Sequence, residues 1–148
     1  MKGIHENIAA GALKERNKYR ERIDLLRSRI YLLAGKDRLL MTMYLENGNS
    51  FRQMARLAGV SESSIGRRVR KIAKRLTNGA YITCLRNRDK FTGGEMATAR
   101  DYFLQGLSIR KIAEKRDLTF YRVQETLKKI KSLIEDSGQR VAGIACSV

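Results

Sequence analysis

The stretch from Tyr44 to Ile72 recurs, without a gap, 58 residues further along the chain. Tyr44 falls on Tyr102, Gly48 on Gly106, Ser50 on Ser108, Arg52 on Arg110, Ala55 on Ala113, Lys71 on Lys129 and Ile72 on Ile130. Apolar positions keep their character: Met54 with Ile112, Val60 with Leu118, Ile65 with Val123, Val69 with Leu127. A chain of 148 residues suits one compact domain or two very small ones. The repeat favours two small units built to one plan.

Each copy has helical period. There is no proline, no tryptophan and little strand-like alternation, so the expected fold class is all-α. In the first copy three helices are expected. Asp37 caps the first, with Leu39, Leu40, Met43 and Tyr44 on its apolar face, and Gly48 stops it. Ser50 caps the second, and Ser61 caps the third, whose seam is Ile65, Val69, Ile72 and Leu76. Residues 1–35 read as one long N-terminal helix ending at Gly35. Ile23, Leu26, Ile30 and Leu33 form a heptad-type seam on it, which Ile8, Ala12 and Tyr19 extend. Two fates are open to that seam: core packing within the chain, or a homodimer interface. The expected order is the N-terminal helix (1–35), a first helix-turn-helix (36–78), a linker (79–94), a second helix-turn-helix (95–136) and a tail (137–148).

The helix-turn-helix reading rests on four positions. Two helices that cross steeply over a short turn need a small residue at the crossing, which Ala55 supplies. The turn needs positive φ, and Gly59 supplies it. Val60 is expected to plug the core behind the turn, and Ile65 to anchor the next helix. In the second copy Asp117 replaces the turn glycine, and aspartate tolerates left-handed geometry better than most residues. In the linker, Tyr81, Ile82 and Leu85 suggest a small helix docking one unit on the other.

The segment SFRQMARLAGVSESSIGRRVRKIAKRL resembles region four of bacterial sigma factors and the DNA-binding domains of response regulators. The resemblance covers the first unit and rests on Ser50, Ala55, Gly59, Val60, Ser61 and Ile65. Arg68 departs from it, because the motif often has an apolar residue there. The resemblance implies a transcription role in the cytoplasm of a bacterial or phage-infected cell, close to the nucleoid, and contact with RNA polymerase. The chain has no room for the other large sigma-factor regions, so a complete sigma factor is not expected.

Charge points the same way. Thirty-one basic residues face 15 acidic ones, a formal net charge of +16. Such a surplus does little for folding but favours a polyanion. GVSESSIGRRVRKIAKR is one-signed after Glu62, whereas a merely solvated helix face usually mixes signs. A helix-turn-helix lays its second helix in the major groove. The expected base-contacting residues are therefore Ser61, Glu62, Ser63, Gly66, Arg67 and Arg70 in the first unit. In the second they are Thr119, Phe120, Tyr121, Gln124, Glu125 and Lys128. Arg67 suits guanine, Glu62 cytosine, Gln124 adenine, and an aromatic side chain a thymine methyl. Gly66 has a second reading as a neutral surface position, and Phe120 and Tyr121 one as packing residues. Ser50, Arg52, Arg68, Lys71, Lys74, Arg75, Ser108 and Arg110 are expected on phosphates.

The expected function is sequence-specific duplex-DNA binding in transcription regulation. The alternatives are non-specific or architectural nucleic-acid binding, or a polymerase-associated factor. No enzyme, metal or cofactor is expected. His5 is the sole histidine, Cys84 and Cys146 lack ligand spacing, and no phosphate loop or carboxylate pair is evident. No membrane partner is expected either, because the apolar runs are too short to span a bilayer.

Overall fold

The computed structural model describes residues 2–137, with side chains from residue 10, and contains only helices and turns there. The expected tail with Cys146, and the side chains of His5 and Ile8, lie outside the described residues. Helix α1 runs over Lys2–Arg29 and passes into a 3-10 turn at Ile30–Leu32. Then come α2 (Gly35–Leu45), α3 (Phe51–Ala58), α4 (Glu62–Asn78), α5 (Ala80–Arg86), a 3-10 turn (Arg88–Lys90), α6 (Gly93–Phe103), α7 (Ile109–Arg116) and α8 (Phe120–Asp136). Packing divides the chain inside α4, with residues up to Val69 in one unit and those from Arg70 in another.

In the first unit Leu26, Ile30, Leu32 and Leu33 are buried and Ile23 is half-buried. The seam is thus part of the chain's own core at these positions, while residues 10–22 of α1 are exposed. The helix ends before Gly35, contrary to expectation. Ile30, Leu32 and Leu33 all point inward, and one α-helical face cannot hold residues two apart. A 3-10 turn followed by extended Leu33 and Ala34 lets all three reach the core. Gly35, at φ +58°, opens α2 rather than closing α1. Asp37 is not the cap either. The N-cap is Ala34, without a side-chain bond, and Asp37 accepts from Arg68 instead. At the other end of α2, Arg27 donates to Leu45 O through Nη2 (2.9 Å) and Nε (3.3 Å), placing a cation on the negative helix terminus.

The second unit is closed more tightly. Helices α6, α7 and α8 pack on one another, and α5 packs on α6 and α8. Ala80, Tyr81, Thr83 and Cys84 are buried, so the expected linker contributes to this unit's core. Asp101 is fully buried and takes hydrogen bonds from Lys115 Nζ (2.9 Å) and Arg116 Nε (2.8 Å). Burial alone would raise its carboxyl pKa. Hydrogen bonds from Arg116 and Lys115, with their charge, overcome that and hold it below the usual carboxylate range.

Both helix-turn-helix turns close alike. Gly59 (φ +67°) ends α3 and Asp117 (φ +54°) ends α7, each left-handed. Val60 N–H returns to Ala55 O at 3.1 Å, and Leu118 N–H to Ala113 O at 2.9 Å. Aspartate therefore does serve in the glycine's place. Val60, however, is 49% exposed and does not plug the core. It lines an open apolar groove together with side chains of α2, α3 and α4.

Candidate nucleic-acid interface

The start of each second motif helix is fixed by its cap. Ser61 Oγ accepts from Ser64 N–H (3.2 Å) and Thr119 Oγ1 from Arg122 N–H (3.1 Å). Beyond Ser61, the buried side of α4 is Ile65, Gly66, Val69, Ile72, Ala73 and Leu76. On the opposite side Arg67, Arg70, Lys71 and Lys74 recur at steps of three, one and three, which places them in a single stripe. All four are exposed, and none has an ion pair among the described residues. Arg67 Nη2 makes only a long bond to Ser64 Oγ, at 3.4 Å. Ser61, Glu62 and Ser63 are exposed at the head of the stripe.

Gly66 departs from the expectation. It is buried, because it shares a row with Val69, Ala73 and Leu76, so it is not an outward position. Two expected phosphate contacts are otherwise engaged. Arg68 donates to Asp37 Oδ1 through Nη2 (2.9 Å) and Nε (3.3 Å). Arg75 Nε donates to Leu104 O at 2.9 Å, and its guanidinium lies against Gly106. At the start of α3, Ser50 N–H is taken by Gln53 Oε1 (2.9 Å), closing a capping box. That leaves exposed Arg52, rather than the Ser50 backbone, to meet an anion there. Ser108 caps α7 through Lys111 N–H, and Arg110 is exposed beside it.

The second unit carries a different surface. Phe120 and Tyr121 are 53% and 69% exposed, so neither is a core residue. Gln124 is half-buried. Lys128 Nζ lies 3.5 Å from Glu125, and Lys129 pairs with Glu95 at 2.9 Å. With Lys115 and Arg116 on Asp101, these are cations of this unit paired with its own acids among the described residues.

The internal ion pairs of Arg68 and Lys129 join residues 31 and 34 positions apart, and no local pattern marks such partners. Cys84 is buried, which pushes its thiol up to about 11 and keeps it protonated. Among the described residues no group of histidine, cysteine and acidic side chains could hold a metal, and no helix is long and apolar enough to cross a membrane. Compared with protein-family models, curated proteins and solved structures, the chain matches none.

Proposed function

We propose that the chain is a sequence-specific, double-stranded-DNA-binding transcription regulator that reads the major groove mainly with α4. The observation that carries this reading is the one-signed stripe of Arg67, Arg70, Lys71 and Lys74 opposite the buried face of α4. It begins in the second turn of a helix capped just after a left-handed turn. A helix-turn-helix presents that end of its second helix to base edges. Arg67, nearest the cap, is the base reader, pairing with guanine O6 and N7. Lys71 and Lys74 lie further along and hold phosphates, as does Arg52 at the start of α3. The second unit, with Thr119, Phe120, Tyr121 and Gln124 at the head of α8, adds apolar contact to thymine methyls and one amide for adenine.

In-vitro selection from a random duplex pool tests the proposal. The expected result is an enriched motif, bound at least a hundredfold more tightly than unrelated duplex or RNA of equal length. A pool that stays random while every nucleic acid binds equally would favour the non-specific coating reading.

A further inference from the structure

The first unit contains a groove of about 460 Å³ between α2, α3 and the start of α4. Its walls include Leu39, Met43, Leu57 and Val60, of which Leu39 is 63% and Leu57 74% exposed. The repeat supplies an internal control. At the offset of 58, Met43 corresponds to Asp101, Leu57 to Lys115 and Ala58 to Arg116. Those three residues form the ionic cluster of the second unit, in which Asp101 is buried and the two cations are partly exposed. At the same place in the repeat one copy therefore carries an ionic cluster and the other an open apolar groove. The repeated frame does not by itself dictate apolar residues there.

The mouth of the groove differs between the copies too. Lys36 and Arg68 line it in the first, where the second has Gly94 and Thr126. Lys36 has no ion pair among the described residues, while Arg68 is tied on one edge to Asp37. An apolar trough with an unpaired ammonium at its lip matches an amphipathic anion. Size narrows the class further. The volume falls within the ~300–1,000 Å³ typical of small-ligand sites. Eleven residues line the groove, fewer than the ~20–30 that each side of a stable protein interface supplies.

We propose that this groove binds a small amphipathic carboxylate, with its hydrocarbon body against Met43 and Leu57 and its carboxylate at Lys36. The proposal concerns the first unit alone and does not depend on DNA binding.

The probe is decanoate, titrated calorimetrically into the full chain, with decanol as the neutral comparison. The expected result is saturable binding of one decanoate per chain, at least tenfold tighter than decanol. The triple variant Met43→Asp, Leu57→Lys, Ala58→Arg copies the second unit's ionic cluster into the groove and is expected to lose at least tenfold in affinity with its helical circular dichroism retained. If that variant does not fold, Leu57→Ser, at a position already in water, replaces it with the same expectation. Lys36→Gln should abolish the preference for decanoate over decanol. The proposal is overturned if decanoate does not saturate, if it binds the folded groove variant unchanged, or if decanol binds equally well. It is also overturned if sedimentation finds a dimer in which Leu57→Cys forms a disulfide across copies, because a second chain then fills the groove.

Discussion

Gly48 and Gly106 stand at matching positions of the two copies, and both have positive φ, +66° and +67°. Their surroundings differ. A Cβ on Gly48 meets nothing within 4 Å, whereas one on Gly106 would lie 2.6 Å from Arg75 Nη1. Arg75 cannot simply swing away, because its Nε is bonded to Leu104 O. Gly48→Ala should therefore cost about 1–2 kcal/mol, the penalty of left-handed geometry alone. Gly106→Ala should cost about 1 kcal/mol more, the worth of one displaced hydrogen bond. Urea denaturation of both variants, each also in an Arg75→Ala background, checks this. The excess at Gly106 should vanish when Arg75 is absent, and an equal cost at the two glycines in the wild-type background would contradict the contact.

At the scale of elements, Asp101 joins α6 to α7 and should dominate the stability of the second unit. Asp101→Asn at neutral pH should cost about 2–3 kcal/mol, less than the ~3–5 kcal/mol of a fully buried pair, because Lys115 and Arg116 remain partly exposed. The carboxyl is depressed in the folded state, so its stabilising effect is complete above the ordinary carboxylate range. It is lost as pH falls through the lower folded value. The gap in thermal midpoint between wild type and Asp101→Asn should thus narrow under acid and stay constant from pH 6 to 8. For α1 the measurement is oligomeric state together with helicity. Ile30 is 6% exposed, so Ile30→Asp should unfold the first unit, at a cost above about 3 kcal/mol, rather than yield a folded monomer. The caps and turns of the two helix-turn-helix motifs were legible in the sequence because they are local, whereas Asp37 and Gly35 were misplaced because the chain before α2 bends to bury Leu32 and Leu33. Ser50, Ser61, Gly59 and Asp117 act as their chemistry dictates, within three or four residues of themselves. Burial was less legible. The spacing placed Leu39 on an apolar face and Val60 behind the turn, but no pattern within one helix says whether a neighbour covers such a residue. Gly66 failed for the opposite reason, since a glycine carries no polarity to reveal its side. Of the candidate site, the stripe of α4 was readable from sign and period. The withdrawal of Arg68 and Arg75 from it was not, because both bond distant residues.

For the whole molecule, a net charge of +16 would draw any polyanion, so affinity alone says little about function. What distinguishes a reader from a coat is a division of labour along α4. Arg67 lies between one and two turns from the cap and Lys74 about two turns further, a rise of about 10 Å at ~1.5 Å per residue. The deciding measurement is fluorescence anisotropy of wild type, Arg67→Ala and Lys74→Ala on the selected duplex and its single-base variants, across several salt concentrations. Arg67→Ala should cost about 1–3 kcal/mol on the selected site and relax discrimination at one base pair. Lys74→Ala should weaken all sequences about equally and reduce the log–log salt slope by about one. If the two variants lose affinity equally on every sequence, α4 is not a base-reading helix and the stripe is an unspecific anchor.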